Sequence, residues 1–108
     1  MKIIISEQQS RMIHSLMRIS VILVENPNKY FKIGKTGISL DKRFNANYKD
    51  NYDRIISVIE EEDSLFISHL ETILIKYYKQ YYPSLCDNEN EGEVEATDEK
   101  FNCVYMVI

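Results

Sequence analysis

Residues 19–34 read ISVILVENPNKYFKIG, and the fold depends on whether this stretch is strand, turn and strand. Its first six residues are short and β-branched, ENPNK at 25–29 is rich in turn formers, and YFKIG at 30–34 alternates again, a pattern that predicts a β-hairpin. Upstream, Ser6 and Gln9 make a capping-box pair, and Met12, Ile13, Leu16 and Met17 recur at helical spacing, so residues 6 to about 18 read as an amphipathic helix. Downstream, Gly37 supplies a turn, Ser39 can cap a short helix carrying Leu40, Arg43 and Phe44, and RIISVIE at 54–60 is a further strand. From about Asp63, the positions Phe66, Ile67, Leu70, Ile73, Leu74, Tyr77, Tyr78 and Tyr81 hold the 3.6-residue period until Pro83 ends it. FNCVYMVI at 101–108 reads as a last strand, with Asn102 either a solvent-facing strand residue or a late polar residue of a site. The expected fold is α+β: a small, mostly antiparallel sheet of three to four strands flanked by helices. It forms one domain over residues 1–108, in which residues 1–18 are an added N-terminal helical extension.

A chain of 108 residues with 44% hydrophobic content can build one modest core. No stretch approaches the ~18 consecutive apolar residues of a membrane span, and a cytoplasmic setting is the expectation. Cys86 and Cys103 form neither a CxxC pair nor a cluster with His14 and His69, so they read as packing residues. The net charge of −4 is unevenly spread: residues 1–54 carry ten Lys/Arg against five Asp/Glu, and residues 55–108 carry three against twelve. Much of the acidity lies in DNENEGEVEATDE, 87–99, which is too poor in apolar residues to offset its ordering entropy and reads as a mobile loop. Such a loop is either simply solvated or a contact for a basic protein partner.

Three local patterns bear on chemistry. KIGKTG at 32–37 ends like a phosphate-cradling P-loop, but Lys29 stands where that loop needs its first glycine, so a nucleotide site is not expected. His69 and Glu71 with Cys86 lack the second half of a zinc-deaminase motif. Glu71 borders the apolar stripe of its helix, between Ile67, Leu70, Leu74 and Tyr78, where a carboxylate needs a partner. Of the eight tyrosines, Tyr77, Tyr78, Tyr81 and Tyr82 follow core periodicity and should pack with their hydroxyls at the surface, while Tyr48 and Tyr52 beside Lys49 and Arg54 look like a contact pair.

The segment VILVENPNKYFKIGKTGISLDKRF, followed by SHLETILIKYY, resembles the GIY-YIG endonuclease superfamily, in particular its phage-associated branch with Lys-Ile-Gly as second signature. Lys32-Ile33-Gly34 supplies that signature, Arg43 follows nine residues after Gly34, and Glu71 lies within a later helix. The resemblance covers about residues 19–101 and implies a metal-dependent DNA endonuclease of the host cytoplasm. It implies further that Glu71 binds a single Mg2+ or Mn2+, that Arg43 faces the phosphate, and that a first-strand tyrosine assists the attacking water. Val21 and Ile22 stand where that tyrosine belongs, ten or eleven residues before Lys32; Tyr30, on the same strand face as Lys32, is the candidate substitute. Lys32, Gly34, Lys35, Lys42, Tyr48 and Lys49 would hold the DNA backbone, Gly34 by ending its strand where a side chain would obstruct a phosphate. The alternative is a scaffold that binds nucleic acid or a protein without cutting, and the absent first-motif tyrosine favours it.

Overall fold

A computed structural model describes residues 5–92 and 101–108. The elements run α1 (Glu7–Glu25), β1 (Lys32–Thr36), α2 (Leu40–Asn47), β2 (Ile55–Glu61), α3 (Ser64–Tyr81) and β3 (Asn102–Val107). The fold is α+β, with one three-stranded antiparallel sheet in the order β1-β3-β2. Residues 93–99 of the acidic segment expected to be mobile lie outside the described residues.

The largest departure from expectation is at residues 19–24, which are helical. The capping box of Ser6 and Gln9 forms as read, but the helix it starts continues to Glu25. The reason is burial. Ser15, Ile19, Ile22 and Leu23 prolong the inward stripe begun by Met12 and Leu16, and Ile19 is fully inaccessible. β-Branching disfavours helix by only a few tenths of a kcal/mol per residue, whereas each buried aliphatic side chain contributes roughly 1.5–3 kcal/mol. The hairpin is therefore absent. Asn26 closes the helix, its side chain donating to the Ile22 carbonyl at 2.9 Å, and Pro27 follows.

Without a hairpin partner, β1 pairs with β3, which comes from the opposite end of the chain. Lys32 faces Val107 and Gly34 faces Tyr105. On the other side of β3, Ile55 also faces Val107 and Ser57 faces Tyr105, until a bulge shifts the register so that Ile59 faces Val104. The bulge turns both Val58 and Ile59 toward the same core. β3 is buried at every position because it is central and covered on both faces. Successive side chains alternate between those faces: Val104, Met106 and Ile108 join the main core under α1 and α3, while Cys103, Tyr105 and Val107 meet Leu40, Phe44 and Tyr48 of the α2 side. Asn102 does not face solvent; it is buried and donates to the Glu62 carbonyl at 3.2 Å.

The remaining elements follow local chemistry. Ser39 accepts from Lys42 N to start α2, and Asp63 accepts from Phe66 N to start α3. α3 and α1 are tied together by Tyr78, whose hydroxyl lies in the core, donating to Leu16 O at 2.8 Å and sharing a 2.8 Å hydrogen bond with Ser20. Expectation had placed that hydroxyl at the surface. The turn after β1 is made by Thr36, whose hydroxyl accepts from Ile38 N at 3.1 Å; Gly37 does not use the left-handed region.

Candidate functional site at the sheet edge

β1 is an edge strand, and its two faces look toward different helices. Lys32, Gly34 and Thr36 face α2: the Lys32 ammonium sits 5.9 Å over the Tyr48 ring, and the Thr36 hydroxyl accepts from Arg43 Nε at 3.3 Å. Ile33 enters the main core, and Lys35 reaches α3, donating to Ser68 Oγ at 2.6 Å. Gly34 is the middle residue of the strand rather than its end. Its missing side chain has a clear use, since a Cβ built there would overlap the Tyr105 ring. Tyr105 therefore extends across Gly34, and its hydroxyl shares a 2.5 Å hydrogen bond with the Tyr48 hydroxyl.

Glu71 approaches the same edge from α3, three residues after Ser68, and is 6% exposed. A pocket of about 250 Å³ brings it together with Lys32, Gly34, Lys35, Tyr48 and Tyr105. The early part of the acidic segment forms the outer wall. Asn88 is buried and clamps Ile33, accepting from its N–H at 2.9 Å and donating to its carbonyl at 2.8 Å. Just before it, Phe31 N donates to Leu85 O at 3.0 Å and Asp87 N donates to Phe31 O at 2.7 Å. The chain then passes so close over Glu71 that a Cβ on Gly92, which has φ of +83°, would collide with the carboxylate.

Arg43 stands at the margin. It lies on α2 against Thr36, with a second contact from Nη1 to Asn47 Oδ1 at 3.3 Å, and does not line the pocket around Glu71. Its charge nevertheless reaches the pocket's tyrosine. Burial pushes the Tyr105 phenol well above its ordinary range, the hydrogen bond and charge of Tyr48 push it further up, Arg43 pulls it down, and Glu71 pushes it up. Guanidinium and carboxylate thus act on one hydroxyl with opposite sign. At neutral pH Tyr105 is a neutral phenol.

The other expected residues are distributed around this edge. Lys42 and Lys49 are exposed on α2 and the turn after it. Tyr30, 62% exposed, precedes β1 and lines the neighbouring cleft, which shares Lys32 and Tyr48 with the first. Among the described residues no group of three or more His, Cys, Asp or Glu could hold a metal ion. Glu89 also lines this pocket, so a divalent cation beside Glu71 would draw at most two carboxylates from the described residues and its other oxygens from water and phosphate, a donor set that suits magnesium.

Tyr105 and Asn88 were missed in the sequence. Asn88 lay inside a segment whose composition reads as solvated. Tyr105 carried one weak signal: a phenol set among Cys103, Val104, Met106 and Val107 needs both a partner for its hydroxyl and room for its ring.

Among the described residues, no helix is long and apolar enough to cross a membrane. No protein-family model, curated protein or solved structure gives a significant match to the chain.

Proposed function

We propose that the pocket at the edge of β1 is a phosphodiester site of the GIY-YIG type, acting on DNA, with Tyr105 in the role expected of a first-strand tyrosine. The observation that carries this reading is the meeting of the Tyr105 hydroxyl, the Glu71 carboxylate and two lysines around a side-chain-free strand position. The tyrosine missing before Lys32 is supplied from β3, paired with Gly34 across the sheet.

Each residue has a physical part. Lys32 and Lys35 attract the phosphate backbone, and Arg43 adds positive charge from the α2 side to offset charge gathering on the phosphate oxygens. Glu71 would hold a magnesium or manganese ion, which supplies Lewis-acid polarisation of the scissile phosphate. A neutral Tyr105 orients an attacking water by hydrogen bonding, its hydroxyl held in place by the hydrogen bond it shares with Tyr48. The protein's net charge of −4 makes DNA binding depend on these local cations and weaken steeply with salt.

The test is incubation with supercoiled and single-stranded DNA in magnesium or manganese, beside Glu71→Ala, Arg43→Ala and Tyr105→Phe. Cleavage lost in all three variants supports the site; cleavage that survives Glu71→Ala and Tyr105→Phe refutes it. A second reading, a non-cleaving module that binds nucleic acid or, through its acidic 87–99 segment, a basic protein, is favoured by the way Gly92 closes over Glu71. Salt-sensitive DNA binding without cleavage would support that reading. An origin in a phage, acting in the host cytoplasm, accords with either.

A further inference from the structure

The second cleft asks for a different part of a nucleic acid than the first. It is open, about 470 Å³, and shares Lys32 and Tyr48 with the pocket that holds Glu71. Its remaining walls are the rings of Tyr30 and Tyr52, the amides of Asn47 and Asn51, and the Asp87 carboxylate. Charge argues against a phosphate here, because Asp87 opposes it and Lys32 is the cleft's one cation among the described residues. Aromatic faces beside amide and carboxylate edges are instead the chemistry that receives a nucleobase: π-surfaces to stack on, and donors and acceptors for its edge.

Two features single out Tyr30. Its ring is 62% exposed, and among the described residues it makes no contact with another ring, whereas Tyr48 and Tyr52 pack edge to face at 5.9 Å. Tyr52 is fixed from behind as well, its hydroxyl donating to Asp87 Oδ2 at 2.6 Å. A packed aromatic pair and one exposed ring thus line the same cleft. The Asn51 amide, exposed at the rim, has no hydrogen-bonding partner among the described residues.

We propose that this cleft is a base-binding subsite for an unpaired nucleotide of a DNA strand, with the base stacked on Tyr30 while its phosphate lies at Lys32 and Lys35. This rests on the DNA-binding part of the reading above and deepens it. A base locked in a duplex cannot enter, so the preferred substrate is single-stranded or locally opened DNA. Tyr30 is then a stacking residue, for which the ring matters and the hydroxyl does not.

The experiment is fluorescence anisotropy without divalent metal, using a labelled single-stranded oligodeoxynucleotide and the same backbone with abasic residues. The proteins are wild type, Tyr30→Ala and Tyr30→Phe; the exposed position makes folding insensitive to either change. Stacking of one base predicts about tenfold or greater loss for Tyr30→Ala on the base-bearing strand. Affinity of Tyr30→Ala for the abasic strand should be unchanged, as should its salt dependence, and Tyr30→Phe should behave as wild type. Equal affinity of wild type and Tyr30→Ala for the base-bearing strand overturns the proposal, as does an equal loss on both strands. If wild type binds and Tyr30→Ala shows the selective loss while no protein cleaves DNA in the assay above, the subsite stands and cleavage falls. If wild type binds neither strand, subsite and DNA reading fall together.

Discussion

Replacing Gly34 with alanine would place a methyl group inside the volume now filled by the Tyr105 ring. The neighbour that would have to move is the ring's outer end, which is tied to Tyr48 by a 2.5 Å hydrogen bond and packed beneath α2. Overfilling a packed site costs about 1–3 kcal/mol. The reduced freedom of the unfolded chain returns about 0.4–1 kcal/mol, leaving a net loss of about 1–2 kcal/mol. For a domain of this size that is a fall in Tm of roughly 5–15 °C, measurable by circular dichroism with urea midpoints as a check. The same change made in a Tyr105→Leu background should cost less, because the shorter side chain no longer reaches across position 34. The difference between the two backgrounds should be about 1 kcal/mol, typical of residues in contact. An unchanged Tm for Gly34→Ala, or an identical loss in both backgrounds, would show that the glycine is not there to admit the ring.

Three further outcomes are expected. Asn88→Ala removes both hydrogen bonds to the buried Ile33 backbone, and at about 1–3 kcal/mol for each polar group left unsatisfied it should cost about 2–6 kcal/mol and speed exchange of the Ile33 amide, read by hydrogen-exchange NMR. Ile22→Ala should cost about 2–5 kcal/mol and Val21→Ala less than about 0.5 kcal/mol, because only the first faces the core from α1; equal urea midpoints would contradict the helix register. Stability should also fall as pH rises above about 9. Burial, the leading cause for each, raises the Cys86 and Cys103 thiols from 9.0 and the Tyr52, Tyr78 and Tyr105 phenols from 10.0. Above those ordinary values the unfolded chain releases protons that the folded chain retains, so alkali favours unfolding. Urea midpoints between pH 7 and 10.5 test this, and a flat profile would refute it.

How much of this was legible depends on the range over which each signal acts. α2, β2, α3 and β3 were readable because caps, periodicity and breakers lie within a few residues of one another: Ser39, Asp63 and Pro83 mark boundaries that the chain observes to within a residue or two. Residues 19–24 misled because β-branched composition is a weak local preference, and the packing of Ile19 and Ile22 against α3 and the sheet is not written locally. From that error the wrong partner for β1 followed. The true partner, β3, was recognisable as a strand, but nothing near it in sequence announces that Tyr105 will lie opposite Gly34. The lysines, Arg43 and Glu71 could be nominated from motif and spacing; that Tyr105 lines one pocket with Glu71 and two of those lysines could be found only once strand order was known.

The arrangement of the sheet has a consequence for biosynthesis. Among the described strands β1 and β2 are not neighbours; in the sheet each pairs with β3, which emerges from the ribosome after the other five elements. Until it arrives, two strands wait with open hydrogen-bonding edges, the state in which chains are most prone to pair with one another. A product stopped before Asn102 would hold every cation proposed to grip DNA and yet have no sheet to mount them on, so assembly should be slow, all-or-none and sensitive to loss of β3.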